Sequence, residues 1–335
     1  MQNASKLIFL AVVAAAIALP GGVSEAGGAT TIRSGSLDAH GLRLLAAIAW
    51  DGGRYTAASG ESVRVFVSPA YGADSDVGQH WADFFASLVH GSELGLLTAY
   101  IAPLDEVQEM CGGGEVLGCY WGQKLVAVGD AVDGLDARSI ATHEYGHHVA
   151  WNRVNAPWVA EDRGTKRWAS AMNICARVQT GTAFPGDEGS AYTLNPGEAF
   201  AESYRVLNET QAGLPFTWPI VDPSFRPDAN ALQALREDVV HPWTAPTTKT
   251  VRARFARGRH TWTLKLATPL DGELSVRLAQ GSDDLSLLAD GRTVLARGSW
   301  TSTGGKSLEY VICGQRSLLV RVTGGGRFAL EVTQP

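Results

Sequence analysis

Hydrophobic and polar positions follow two different patterns along the chain. Up to about residue 210, short β-rich runs alternate with stretches in which apolar residues recur every three or four positions. The first kind of run predicts strands and the second predicts helices. The predicted strands are Ser62–Val67, 97–101 and Lys124–Val128, and the predicted helices are 79–89, 136–152, 168–178 and 196–207. This alternation predicts an α+β domain with a small mixed sheet.

Beyond residue 250 the pattern changes to a period of two. Residues 261–266 and 273–278 alternate apolar and polar side chains, and 317–322 and 327–332 are short β-rich runs. Turn residues recur about every ten positions, which is typical of a small sandwich. The preceding stretch is rich in proline and threonine, which predicts a linker. We therefore expect a domain at 27–240, a linker at 241–250 and an all-β sandwich at 251–335.

The N-terminus has the pattern of a secretory signal. Lys6 precedes 13 apolar residues, Pro20 ends the run, and Ser24 and Ala26 offer a cleavage site. A helix that spans a bilayer needs about 20 residues, so this run is short for a stable membrane span. We predict a signal peptide at 1–26, a mature chain from Gly27 and a secreted protein, the alternative being an uncleaved anchor.

Composition and charge narrow the class of protein. Hydrophobic residues make up 45% of the 335, which is too apolar for intrinsic disorder. The net charge of −6 argues against a dedicated nucleic-acid binder. Residues 246–335 nevertheless hold 13 Lys or Arg against 7 Asp or Glu. Four arginines there either bind an anionic cell-surface polymer, face solvent on an edge strand and its turn, or dock against the acidic N-terminal domain. They are Arg252, Arg254, Arg257 and Arg259.

The four cysteines fit an exported protein. Cys111 and Cys119 flank a glycine-rich turn, and a disulfide closes such a loop easily. Cys175 and Cys313 are far apart in the sequence, so they form either a second disulfide or two buried free thiols. No pair has the C-x-x-C spacing, which argues against a zinc site made of thiolates.

The helix predicted at 136–152 carries the residues that point to chemistry. His143 and His147 are four positions apart, so both project from one face of a helix and can bind a single metal ion. Glu144 lies about 100° around from His143, beside such an ion, where its carboxylate can deprotonate a water. His148 is rotated away by a similar angle from His147 and is not expected to share the ion.

A catalytic zinc site takes a third protein ligand. The extended motif H-E-x-x-H-x-x-G-x-x-H is excluded, because this chain has Ala150 and Arg153 at the two last specified positions. The helix predicted at 196–207 offers Glu198 and Glu202, one turn apart on one face. Glu198 is the candidate ligand, and Glu202 can accept the outer N–H of a ligating histidine. The alternatives are an exchange of these roles or two glutamates that face solvent.

These residues together resemble the gluzincin zinc metallopeptidases. The motif H-E-x-x-H ends at His147, and 51 residues later Glu198 opens the run E-A-F-A-E, similar to the third-ligand helix of the lethal-factor type of secreted peptidase. The resemblance implies a zincin-like catalytic domain that holds one zinc ion and hydrolyses peptide bonds. It makes His143, His147 and Glu198 the ligands and Glu144 the general base.

Two further parts of the chain enter through resemblance. In the lethal-factor type a tyrosine shortly before the ligand glutamate faces the substrate carbonyl, and Tyr192, six residues before Glu198, has a similar place at a spacing one residue shorter. The alternative for Tyr192 is a turn residue that packs on a loop. The runs between residues 284 and 332 resemble the pre-peptidase C-terminal domain of secreted peptidases, which implies an accessory module.

The sequence thus predicts a monomeric, secreted zinc endopeptidase that acts on polypeptides. We expect the substrate to add as a strand to a sheet edge formed by residues 116–120 or 122–128. The alternative is a cell-surface or cell-wall binding protein with a vestigial zinc site. Glu144 argues against that alternative, because a site that only holds metal has no need of this carboxylate.

Overall fold

The computed structural model describes residues 33–335 except 73–74, 216, 219, 280–282 and 303. The predicted signal peptide, residues 1–26, lies outside the described residues. Among the helices that are described, none is long and apolar enough to cross a membrane.

A mixed sheet of six strands forms the first half of the fold. The strands are β1 (Arg33–Ser36), β2 (Asp51–Thr56), β3 (Ser62–Val67), β4 (Thr98–Ala102), β5 (Val116–Trp121) and β6 (Lys124–Val128). Their order across the sheet is β1-β5-β6-β4-β3-β2. The pairs β1–β5, β6–β4 and β4–β3 are parallel, and the other two pairs are antiparallel. The three strands predicted from the sequence are confirmed as β3, β4 and β6.

Neither candidate segment for the substrate-binding edge is an open edge of this sheet. Strand β6 lies inside the sheet between β5 and β4, and β1 covers the other side of β5. The outer strands of this sheet are therefore β1 and β2. The residues of β1 read R-S-G-S, without any apolar alternation. Pairing with β5 therefore gives this segment its strand conformation, which its own side-chain pattern does not predict.

Helices pack on this sheet and on one another. In the described chain they are α1 (Ala39–Ala47), α2 (Ser75–Ser87), α3 (Leu104–Cys111), α4 (Ala137–Trp151), α5 (Ala160–Arg163), α6 (Lys166–Ala171), α7 (Ile174–Gln179), α8 (Pro196–Gln211) and α9 (Ala229–Val240). The helices predicted at 79–89, 136–152 and 196–207 are confirmed as α2, α4 and α8. The single helix predicted at 168–178 is wrong, because Asn173 breaks it into α6 and α7 with a left-handed φ of 53°. Asparagine adopts this conformation more readily than most residues.

The C-terminal part is a sandwich of two antiparallel sheets. Its strands are β7 (Thr247–Arg254), β8 (Thr261–Ala267), β9 (Gly272–Leu278), β10 (Asp284–Ala289), β11 (Thr293–Arg297), β12 (Ser299–Trp300), β13 (Lys306–Ile312), β14 (Ser317–Thr323) and β15 (Arg327–Gln334). One sheet has the order β11-β10-β14-β8 and the other has β12-β13-β9-β15-β7. Strand β7 takes up the last four residues of the predicted linker, so residues 241–246 make the connection. The predicted all-β character is confirmed.

Each half has its own apolar core, and one disulfide joins them. The strands of the sandwich alternate, with Leu274, Val276 and Leu278 of β9 turned inward and fully buried. The disulfide Cys175–Cys313 connects α7 to the segment after β13, and Cys111–Cys119 connects the end of α3 to β5. Both predicted pairings are confirmed, and the alternative of two free thiols at Cys175 and Cys313 is wrong.

Candidate metal centre

The centre is built on helices α4 and α8, which approach each other closely. Asp136 caps α4 by accepting a hydrogen bond from the Arg138 amide, and Asn195 caps α8 by accepting one from the Gly197 amide. A β-carbon added at Gly146 would lie 2.7 Å from the Cα atom of Ala201. Only a glycine therefore allows the two backbones to meet at this point. The close approach brings the predicted ligands of both helices together.

His143, His147 and Glu198 converge on one point. Each offers one ligand atom, and these atoms all lie within 4.8 Å of one another. The Nε2 atom of His143 lies 3.2 Å from Oε2 of Glu198, and Nε2 of His147 lies 3.4 Å from Oε1. His143 and Glu198 are buried, and the side chain of His147 is 14% exposed. The three side chains can thus hold one metal ion that is reached from the His147 side.

Two observations test whether these residues fit a cation. Nε2 of His147 is buried, and its 3.4 Å contact with Oε1 of Glu198 lacks the geometry of a hydrogen bond, although a buried polar atom normally has such a partner. Two imidazoles and one carboxylate are also a donor set that suits a divalent transition metal such as zinc. The geometry and the donor chemistry therefore both fit a metal ion, and its identity belongs to the proposal below.

The charges around the three side chains favour this donor set. Burial raises the pKa of the Glu198 carboxyl, but the imidazoles of His147 and His143 lower it further, and the net pKa lies well below its ordinary value. Burial lowers the pKa of His143, whereas its bonds to Glu198 and Glu202 raise it, and the net value is about 10. Without a metal these groups share protons, which a bound cation would displace.

Glu202 lies where the sequence predicts it, behind His143. Its Oε2 atom is 3.2 Å from Nδ1 of His143, so the carboxylate can hold the ring with Nε2 turned toward the metal position. Arg205 donates to both of its oxygens, over 2.6 Å to Oε1 and 3.0 Å to Oε2. Burial alone would raise the pKa of Glu202, and the bonds from Arg205 and His143 bring it below its ordinary value. The structure favours Glu198 as the ligand and Glu202 as the residue that supports His143. Both glutamates are buried, which excludes the alternative of two glutamates that face solvent.

Glu144 projects from helix α4 toward strand β5. It is 1% exposed, and a β-carbon added at Gly118 would lie 2.8 Å from its Oε1 atom. Glycine at this position of β5 therefore makes room for the carboxylate. The side chain follows His143 by one position on α4, as the helical geometry predicts. It does not belong to the group of three that can hold the ion.

Tyr192 lies in a short 3-10 turn just before α8 and is buried. Its hydroxyl donates a hydrogen bond of 2.6 Å to Oε2 of Glu198. The structure thus brings Tyr192 to the centre, in contact with the predicted ligand. The alternative of a tyrosine that merely packs on a loop does not account for this bond.

The helix after His147 turns its next histidine away from the centre. Nε2 of His148 donates to the carbonyl oxygen of Glu93 over 2.8 Å, and the Tyr120 hydroxyl donates to Nδ1 over 3.0 Å. Burial lowers the pKa of His148 to about 4, so the ring is neutral at physiological pH. It packs β5 and α4 together and is outside the group of three.

A cleft leads from solvent to the centre. His147 and Glu198 form its base, and aromatic residues of β5 and α4 form one wall. Trp121 is 51% exposed and packs edge-on against Trp151 with ring centroids 5.5 Å apart. The backbone of Gly35 in β1 also lines the cleft. Three carboxylates line it as well, those of Glu161, Asp162 and Glu188.

Sequence reasoning missed several residues that support the centre. Arg205 pairs with Glu202 and with Glu209, and Arg153 pairs with Glu93 over 2.7 Å. Arg205 lies three residues after Glu202 and four residues before Glu209, a spacing typical of ion pairs on a helix, so the sequence could have indicated both pairs. The pair of Arg153 with Glu93 spans 60 residues, and no local pattern indicates it.

The four arginines of the sandwich lie away from these helices in the sequence and are exposed. Arg252 and Arg254 alternate on β7, which is the outer strand of its sheet, and Arg257 and Arg259 lie in the turn that follows. This is the arrangement of the solvent-facing alternative, and it also leaves the guanidinium groups open to an anionic partner.

Comparison with protein-family models gives no match, and comparison with curated proteins gives none either. Among solved structures, the chain is similar to the pre-peptidase C-terminal domain of a Bacillus anthracis collagenase, with 13% identity and a TM-score of 0.21 over 25% of this chain and 86% of that one. It is similar to Legionella pneumophila aminopeptidase A in complex with aspartic acid, with 11% identity and a TM-score of 0.24 over 83% of this chain and 36% of that one.

A third similar structure is PliG of Aeromonas hydrophila, a periplasmic inhibitor of g-type lysozyme, with 14% identity and a TM-score of 0.15 over 24% of this chain and 90% of that one. Likenesses this weak do not establish a shared function. What the site can do follows from its own residues.

Proposed function

We propose that this protein is a secreted, zinc-dependent endopeptidase. The observation that carries the proposal is the convergence of His143, His147 and Glu198 from two helices, with Glu144 beside them. A protein that merely buries polar side chains pairs them, but here Nε2 of His147 is left without a hydrogen-bond partner among the described residues. A metal ion satisfies that atom and completes the set.

The chain's own residues then divide the work. Bound zinc would polarise the peptide carbonyl and lower the pKa of a water. Glu144 accepts the proton of the attacking water and passes it to the leaving nitrogen. Glu202 fixes the orientation of His143, and Arg205 fixes Glu202. Tyr192 holds the carboxylate of Glu198 through its hydroxyl.

The part of Tyr192 toward the substrate stays a prediction from the resemblance. A donor near the carbonyl oxygen would stabilise the charge that develops there during hydrolysis. Replacing Tyr192 by phenylalanine separates the two parts. Lost metal affinity indicates support of Glu198, whereas an unchanged metal content with a lower kcat indicates a donor to the substrate.

Two features of the chain support the proposed secretion. The predicted signal peptide and the two disulfides agree with each other, because disulfides persist in oxidising compartments. A mass measurement of the protein recovered from the culture medium tests the expected start of the mature chain near Gly27. Recovery of the protein from the cytoplasm alone would contradict export.

The central experiment compares the wild-type chain with Glu144→Gln. We expect about one zinc per chain in both proteins and a loss of casein hydrolysis of about 10²–10⁴-fold in the variant, which is the usual contribution of a general base. Glu115→Gln is the matched control, because this glutamate is exposed and precedes β5. Absence of bound zinc from the wild type, or equal activity of both proteins, would contradict the proposal.

A second role is favoured by the sandwich. The exposed Arg252 and Arg254 on the outer strand β7 are open to an anionic polymer or membrane surface. We propose that they hold the enzyme near such a surface. Binding to vesicles with and without anionic phospholipid, for the wild type and for Arg252→Gln/Arg254→Gln, tests this. Equal binding of both proteins to both vesicles would contradict it.

A further inference from the structure

Strand β1 lies along the cleft that leads to the metal centre. It pairs in parallel with β5, with Gly35 opposite Cys119 and Ser36 opposite Tyr120. Gly35 lines the same cleft as His147 and Glu198, together with Tyr120 of β5. The backbone of β1 therefore takes up the side of β5 that would otherwise face the cleft as an open sheet edge.

This edge has the properties of a binding surface for an extended polypeptide. Extended peptides commonly bind by adding a strand to an exposed sheet edge, where main-chain hydrogen bonds supply affinity. On β5, Gly118 makes room for the carboxylate of Glu144, and Trp121 stands exposed at the end of the strand. A chain that paired with β5 would pass beside both the proton acceptor and the metal ligands.

The fit of β1 against its neighbours depends on one glycine. A β-carbon added at Gly35 would lie 2.2 Å from the carbonyl oxygen of Cys111 and 2.7 Å from Cγ1 of Val116. Real β-carbons do not approach backbone oxygens this closely, so any larger residue at this position must move the strand away.

Strand β1 is short and lies at the outside of the sheet. Its sequence, R-S-G-S, contains no large apolar side chain, and the sheet holds it on one side alone. Each backbone hydrogen bond contributes only about 1 kcal/mol net. Leu37, the next residue, is buried in the core and anchors the chain behind the strand. Displacement of β1 would therefore break the backbone pairing with β5 and leave Leu37 in the core.

We propose that β1 is an internal latch on the substrate-binding edge. It occupies the side of β5 to which the main chain of an extended polypeptide substrate adds, and the substrate binds after β1 has been displaced. This inference rests on the proposed function for its readout of hydrolysis, and it specifies how access to that site is regulated. The ligand is the backbone of an unfolded or flexible protein segment.

The test is Gly35→Val in the full chain. If β1 is docked in nine of ten molecules, the latch raises the KM for a casein-derived peptide about tenfold, and the variant should lower KM by that factor with kcat unchanged. The matched control is Gly53→Val on β2, the opposite outer strand, where an added β-carbon meets nothing within 4 Å. It should leave KM as it is.

Two measurements do not depend on hydrolysis. In the variant, the amides of residues 116–121 should exchange their hydrogens faster, because they lose their partners in β1. A labelled peptide with the sequence of residues 31–38 should bind to Gly35→Val/Glu144→Gln at least about tenfold more tightly than to Glu144→Gln alone, since the edge is open in the first protein.

The outcomes separate the latch from the proposed function. Faster exchange with unchanged peptide binding and KM would overturn the latch. Unchanged exchange in both Gly35→Val and Gly35→Pro would also overturn it, because β1 would then not lie where the fit requires glycine. Absence of hydrolysis and of zinc from every variant would contradict the proposed function, while peptide binding would still decide whether the edge is latched.

Discussion

The interior of the helical half and the interior of the sandwich bury different kinds of side chains. Between α4 and α8 the chain buries His143, Glu144, Glu202 and Arg205, whereas the facing sheets of the sandwich bury leucine, isoleucine, valine and phenylalanine. Moving a charge out of water costs several kcal/mol, and apolar burial carries no such cost. The comparison indicates that the helical half gives up stability to bury a cluster of charged groups, whereas the sandwich core is stabilised by apolar burial.

Pairing limits that cost in the helical half. Arg205 bridges Glu202 and Glu209 over 2.6 and 2.5 Å, and Glu93 accepts from Arg153 over 2.7 Å. An intact pair of this kind adds little net stability. Removal of one partner is strongly destabilising, because the other charge is then buried and alone. Substitutions in the two halves should therefore differ most where they break a pair.

The largest difference is expected for matched arginine substitutions. Arg205→Met should reduce the free energy of unfolding by about 3–5 kcal/mol, because Glu202 and Glu209 lose their shared cation. Arg277→Met in the sandwich breaks an exposed pair with Glu331 and should cost about 1 kcal/mol or less. Urea unfolding of both variants measures the contrast. Equal losses would contradict the view that the two interiors differ.

The second test uses pH and His148. Burial lowers its pKa to about 4 in the folded chain, against an ordinary value of 6.5, so between these pH values the unfolded chain binds a proton that the folded chain excludes. Stability from this residue is present above pH 6.5 and is lost as the pH falls toward 4, by about 3 kcal/mol in all. The free energy of unfolding of the wild type should therefore fall more steeply between pH 6.5 and pH 4 than that of His148→Gln.

His260 provides the control for that measurement. This histidine is exposed in the sandwich, so His260→Gln controls for the replacement of a histidine that is not buried. If His148→Gln and His260→Gln gave the same slope between pH 6.5 and pH 4, the assignment of a neutral, buried His148 would be wrong.

The third test concerns the support of the metal ligands. Glu202→Gln weakens the bond that orients His143 and should reduce zinc affinity about 10–100-fold, the usual effect of such outer partners. Glu209 is the other partner of Arg205. The hydrogen bond to His143 comes from Glu202, so Glu209→Gln should change zinc affinity much less. Competition with a chromophoric chelator measures both. A larger loss for Glu209→Gln would assign the effect to general destabilisation.

The smallest effect is expected at a helix cap. Asn195→Ala removes the side chain that accepts from the Gly197 amide and donates to Glu188 over 3.0 Å, and should cost about 1 kcal/mol of stability. Asp228→Ala removes the corresponding cap of α9 and should cost a similar amount. Only the first substitution lies next to Glu198, so only it should also lower zinc affinity. Equal zinc affinity in both variants would show that capping α8 does not position the ligand.

The sequence predicts those helices and strands whose apolar and polar residues follow a local period. His143 and His147 share a face because a helix turns about 100° per residue, and the same rule pairs Glu198 with Glu202. The sandwich strands follow from a period of two. Each of these inferences needs only residues within one element, and the structure brings the two helices together as their chemistry requires.

The parts that depend on contacts between distant segments are not predicted. The strand β1 has no pattern of its own and exists because β5 offers it an edge. The pair of Glu93 with Arg153 joins segments 60 residues apart. The break at Asn173 is set by its left-handed backbone, although its neighbours have helical spacing. In the first two cases the deciding partner lies outside the window that a local pattern covers.

The contact between Gly146 and Ala201 has a consequence for the three side chains that could hold a metal ion. Because main chain touches main chain there, the separation of the two ligand-bearing helices is a fixed dimension of the scaffold and does not depend on how side chains pack. A larger residue at position 146 would push α4 away from α8 and so separate His143 and His147 from Glu198, although it replaces none of these three side chains.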